Sequence, residues 1–169
     1  MAKIGASYFD TMARALPGQV SDTSAYNIDG ACVLDKDDGI AIPVGVAVKL
    51  KGVDSMGNKL IDAITSSGDV PYGVAIRSHF QTTGENGRMV YEVGGGINVM
   101  TEGRVWMVVD DSDKAKTPQY REPVKIDDST GFVKSSGTIT TNWIFTGDKT
   151  TYGSGQDVIT LFEVQVFPS

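Results

Sequence analysis

Valine and isoleucine outnumber leucine 31 to 5 in this 169-residue chain, and 15 threonines add further β-branched side chains. Two heavy atoms on Cβ stiffen χ1 and crowd a helix, whereas the same branching packs well on a pleated surface. Twenty glycines provide for many tight turns between strands. The chain is therefore expected to be all-β, with many short strands. Its length fits one domain able to bury its own core. An apolar content of 40% with 21% charged residues is globular rather than disordered.

Scarcity narrows the chemistry. With one cysteine, Cys32, and one histidine, His79, the chain cannot form an internal disulfide, a cysteine-rich zinc site or a two-histidine site. A net charge of −6 argues against general nucleic-acid binding, which needs a basic footprint. Residues 1–6 carry no secretory apolar run, and no stretch approaches the roughly 18–20 apolar residues of a membrane helix. Neither terminus carries a lipidation motif. These absences lead to the expectation of a protein made and kept in a reducing cytoplasm, with no membrane partner.

One segment departs from the strand pattern. Residues 6–16, ASYFDTMARAL, place Tyr8, Phe9, Met12, Ala13 and Leu16 at spacings that suit one face of a short helix. Ser7 is positioned to cap it and Pro17-Gly18 to end it. Three turns are too short to be stable alone in water, so the segment must dock. It docks on its own domain or on a neighbouring subunit, the remaining alternative being a disordered terminus. Residues 1–18 thus read as a helical or extended arm, and residues 19–169 as a β-rich body.

Strands are expected at residues 28–34, 40–50, 60–64, 72–77, 88–93, 97–101, 103–109, 123–126, 131–134, 142–146 and 158–167, between clusters of glycine and polar turn residues, with 127–130 as a hairpin turn joining 123–126 to 131–134. Pro43 and Gly45 mark the second as an edge strand or a bulge, because proline cannot donate to a ladder. Residues 88–93 are expected to pair with 97–101 or 103–109. The run Gly103-Arg104-Val105-Trp106-Met107-Val108-Val109 is apolar on both faces except at Arg104, as in a central strand covered on each side. In the last strand Phe162, Val164 and Val166 alternate with Glu163 and Gln165, the mark of half-burial. Nine or ten strands in a single domain imply a jelly-roll, sandwich or barrel-like body.

Candidate chemical motifs mostly dissolve. Asp35-Lys36-Asp37-Asp38-Gly39 begins like a calcium loop, but Val46 stands where the bidentate acid belongs, so it reads as a turn. Asp110-Asp111-Ser112-Asp113 offers carboxylates to a hard cation, against the plainer reading of a solvated strand end. His79 follows Ser78, yet no nucleophile elbow exists. Gly94-Gly95-Gly96 matches no phosphate loop, and Cys32 reads as a small core residue. No catalytic, cofactor-binding or metal-ligating set assembles, so the chain is expected not to be an enzyme and to need no cofactor.

Three motifs carry a resemblance when taken in order: Pro17-Gly18-Gln19 with Asp22, Gly73-Val74-Ala75-Ile76-Arg77, and Gly103-Arg104-Val105-Trp106. Over about residues 15–109 the chain resembles the structural cement or head decoration proteins of tailed bacteriophages. The resemblance implies a non-enzymatic, β-rich subunit on the outer surface of the capsid. There it would bind the major capsid protein, bridge capsomers as a homo-oligomer (dimer or trimer) and stabilise the head. Under that reading Tyr8, Phe9, Met12 and Leu16 are expected arm anchors. Gln19, Asp22 and Tyr26 would fix the arm's exit. Two other readings stay open. One is a carbohydrate- or receptor-binding β module of a virion using Tyr120, Trp143 or Tyr152. The other is a hydrolase using carboxylates from separate loops.

Overall fold

The computed structural model describes residues 14–37, 39–79, 81–84, 87–153 and 158–168. The strands are β1 (Asn27–Leu34), β2 (Ile42–Pro43), β3 (Ala47–Val53), β4 (Lys59–Ala63), β5 (Pro71–Ala75), β6 (Thr82–Thr83), β7 (Met89–Tyr91), β8 (Gly96–Val108), β9 (Pro123–Ile126), β10 (Ile139–Tyr152) and β11 (Ile159–Val166). A single 3₁₀ turn, Asp111–Asp113, is the helical element among the described residues. The all-β body expected from composition is thus the observed one, with a barrel at its centre.

The main sheet runs β1-β4-β3-β5-β8-β11-β10-β9, and β1 also pairs with β8. That extra pairing closes β1, β4, β3, β5 and β8 into a five-stranded ring. The 13-residue strand β8 belongs to two structures. Its first half pairs with β1 and β5, and its second half pairs with β11, from Gly103↔Val166 to Val108↔Leu161. Gly103 is the hinge between the halves, at φ +122; a Cβ there would stand 2.7 Å from the Cβ of Tyr26. Beyond it, β11, β10 and β9 form an open wing.

Two cores follow from this division. Inside the barrel Cys32, Leu34, Val46, Val48, Ile61, Ile97 and Val99 pack with Tyr91, whose hydroxyl donates to the Ile76 carbonyl. Trp143, Phe145 and Phe162 of the wing pack with Val105, Met107, Val124 and Ile126 in a cluster that also takes in Ala47, Val74 and Met100 from the barrel strands. Phe145 and Phe162 meet edge to face, 5.6 Å apart. The loop after β9 ties the two regions together: Asp127 accepts from Ser129 and Thr130 and pairs with Lys134, while the Gly131 carbonyl accepts from Ala47 N–H of the barrel.

Several expectations change. Residues 97–101 and 103–109 belong to one bent strand, because glycine permits the bend without ending the ladder. Strand β7 pairs with β2 and β6, not with β8. Residues 40–50 divide at Val44–Val46 into β2 and β3, and Pro43 lies on an edge strand of the three-stranded sheet. The loop expected over residues 81–87 contains the two-residue strand β6, and residues 131–134 form no strand but bridge Ile126 and Val109 through Val133 alone. Strand β11 is buried on both faces rather than one. Its Ile159 and Leu161 join Trp106 and Val108 of β8 in a third cluster with Ala15, against which Phe132 packs.

Candidate docking surface

The three spaced motifs meet at one place. Gly18 donates its N–H to Trp106 O (2.9 Å) and accepts from Arg77 N–H (2.9 Å). Trp106 N–H returns to Gln19 O, and Ser21 N–H reaches Arg104 O. Val20 thereby sits opposite Val105 as an added antiparallel bridge on β8. The contact is close because Gly18 (φ +68) lies back to back with Gly45 (φ +84); a Cβ on Gly18 would come within 2.9 Å of Gly45 N. Only residues without a side chain allow this approach.

Side chains extend the junction. Gln19 closes the turn from Leu16, accepting from Leu16 N–H through Oε1 while its own N–H donates to Leu16 O. Asp22 pairs with Arg104 at 3.0 Å, and Arg104 also donates to Gln165. The Ser24 hydroxyl, its N–H and the Arg104 guanidinium hold the Asp22 carboxyl below its usual range against a small cost of burial. Ser21 and Thr146 donate their hydroxyls to the buried Glu163 carboxylate. Tyr26 lies over Gly103 and is half exposed.

Of the seven residues expected to serve the arm, Leu16, Gln19, Asp22 and Tyr26 lie along this junction. Tyr8, Phe9 and Met12, with most of the expected helix, lie outside the described residues. Sequence reading missed Arg14, whose guanidinium stacks on Trp106 at 5.8 Å from the ring centre and pairs with Asp148 at 3.1 Å. Its partners lie 92 and 134 positions away, so no local pattern announces them. Ala15 and Pro17 are buried, so residues 15–17 are seated on the body.

Other candidate chemistry resolves into structure. Cys32 is sealed in the barrel, and burial together with the Asp29 charge pushes its thiol up to about 12, far from a reactive thiolate. Asp110 caps Ser112, and Asp113 pairs with Lys116 and Ser135. Among the described residues no three His, Cys, Asp or Glu side chains gather as if around a metal ion. Trp143 is buried with its indole N–H on the Phe167 carbonyl, which removes it from any aromatic binding surface; Tyr120 and Tyr152 remain outside.

Comparison with known proteins follows this geometry. A family model described as structural cement protein (E217 gp24/Pam3 gp6) matches residues 4–166. A search of curated proteins returns no match. A chain from a solved structure of the capsid of Myoviridae phage XM1 superposes with a TM-score of 0.59 at 18% identity. The alignment covers 92% of this chain and 93% of that one. At that identity the likeness establishes a shared fold.

Proposed function

Because the chain belongs to the bacteriophage structural cement protein family, we propose that it decorates the outside of the phage head. There it binds the major capsid protein, bridges capsomers and stabilises the shell. The family match over nearly the whole chain carries this reading. The role is structural rather than catalytic, and a chain with net charge −6 makes no use of DNA contacts. Assembly takes place in the host cytoplasm, where a single buried thiol needs no oxidising environment.

The junction supports a division of labour. Residues 1–18 form an arm whose last residues are held on β8, so the direction of exit is set before any partner is met. Pre-setting the geometry lowers the ordering cost of binding. Tyr8, Phe9 and Met12 then anchor the arm on a neighbouring subunit, with Leu16, Gln19, Asp22 and Tyr26 holding its base. A dimer or trimer engages several lattice sites at once, which converts modest contacts into firm attachment.

Purified protein added to capsids of the encoding phage that lack it should co-sediment with them and raise the temperature at which they rupture. Absence of binding at micromolar protein would overturn the reading. Replacing Tyr8, Phe9 and Met12 together with alanine should weaken association about tenfold or more while leaving the β-sheet circular dichroism spectrum unchanged. Unaltered association would remove the arm from the mechanism.

A further inference from the structure

Among the described residues Arg121 is the only non-glycine with positive φ, at +66°. Glu122 N–H donates to Gln119 O at 3.1 Å, so Gln119–Glu122 is a four-residue turn with Arg121 third. A left-handed third residue defines the turn type that favours glycine or asparagine there, and an arginine strains it. Strain at such a position persists where the surroundings hold it and the side chain is wanted.

The surroundings do hold it. Arg121 N–H donates to Phe145 O, and Phe145 N–H returns to Glu122 O. Lys149 reaches from β10 to the carbonyls of Lys114 and Lys116, fastening the segment that leads into the turn. Pro118 is buried beneath it. The turn therefore presents its side chains rigidly.

Those side chains are Tyr120, 73% exposed, and Arg121, also exposed and without an ion-pair partner among the described residues. Tyrosine and arginine dominate the energetics of protein interfaces. Lys125, exposed on β9, extends the positive rim two strand positions beyond Pro123, with Glu122 the one carboxylate inside the turn. This local excess of positive charge stands on a chain of net charge −6.

We infer that the Gln119–Glu122 turn is a preformed docking knob through which Tyr120 and Arg121 engage a carboxylate-bearing surface of the capsid shell. Arginine offers such a surface a planar, bidentate donor that no uncharged turn residue supplies. The family match makes the shell the partner, and self-association, measured by sedimentation, separates it from a second copy of this chain. The inference rests on the cementing role proposed above and assigns a contact beside β10, where Tyr120 packs on Gly147 next to Asp148, the partner of Arg14.

Arg121→Gly and Tyr120→Ala separate a docking role from a structural one. Glycine relieves the left-handed strain, so Arg121→Gly should melt at the parent temperature or a few degrees above it. It should nevertheless bind undecorated capsid shells about tenfold more weakly, with a shallower salt dependence than the parent. Tyr120→Ala should lose several-fold in binding with its fold intact. Binding by both variants within twofold of the parent overturns the inference, as does a fall in melting temperature for Arg121→Gly. A loss of self-association in sedimentation, with shell binding unchanged, also overturns it. Failure of the parent itself to bind shells would instead bring down the cementing role.

Discussion

The barrel and the wing share strand β8 but solve the problem of exposed strand edges differently. The barrel closes on itself through β1, so its core of small aliphatic residues needs little beyond Tyr91 to fill it. The wing stays open and relies on bulk, with Trp143, Phe145 and Phe162 packed under β9 and β10. Register shifts occur in both regions: in the barrel, β1–β8 shifts between Asn27 and Ile28 and between Asp29 and Cys32, β3–β4 between Leu50 and Gly52, and β3–β5 between Val48 and Lys49. In the wing the β10–β11 register shifts between Phe145 and Lys149, and the β9–β10 register shifts between Thr140 and Ile144. Closure removes the barrel's edges, whereas the wing ends on β9 as an edge strand. In either region a bulge is where side chains can be re-aimed outward. The strained Arg121 turn and the Asp148 partner of Arg14 both occur beside such irregularities. The barrel is accordingly the platform, and the wing and junction carry the features suited to contact.

Substitution at the seam should have the largest effect. Gly18→Val adds a β-branched side chain at a left-handed position, against the backbone of Gly45. It should cost more than about 4 kcal/mol, seen as a collapse of the urea midpoint. Retention of parental stability would show that the junction is dispensable to both regions. Trp143→Ala should cost about 3–5 kcal/mol and act first on the wing. In native-state hydrogen exchange the β10 amides should lose protection before those of β1 and β4. Equal loss throughout would merge the two regions into one cooperative unit.

A smaller effect is expected at Asp127, which orders the loop joining wing to barrel. Burial pushes its carboxyl up, but Lys134, Ser129 and Thr130 outweigh that and hold it well below the usual range. A depressed folded-state pKa contributes stability that is present above the unfolded value near 3.9 and is lost as pH falls toward the folded one. Asp127→Asn should therefore cost about 1–3 kcal/mol at pH 7. The gap to the parent should narrow progressively below about pH 4 in parallel thermal melts. A gap independent of pH would assign the loop's stability to its neutral hydrogen bonds alone.

Much of the wing and barrel was legible residue by residue. The run from Gly103 to Val109 announced a strand covered on both faces, and Val105 to Val108 are all buried while Arg104 is exposed. Cys32 lies in the core where an apolar strand context placed it. The polar alternation of β11 misled because Glu163 is not solvated. It is buried beneath Ser21 and Thr146, donors from segments 142 and 17 positions away. The three spaced motifs were visible as motifs, but nothing in their spacing said that Gly18, Arg77 and Trp106 share hydrogen bonds.

What the sequence determined by itself is the all-β character, most of the strands and turns, and which strand must be central. These follow from rotamer stiffness, a two-residue side-chain period and turn chemistry, all of which act within a few residues. What only the tertiary structure decided is which edges meet: β1 on β8 to close the barrel, β7 on β2, residues 18–21 along β8, and Arg121 held left-handed by Phe145. Backbone hydrogen bonding is nearly blind to residue type, so a strand edge accepts any partner the global packing brings to it. That choice is made by the whole chain at once.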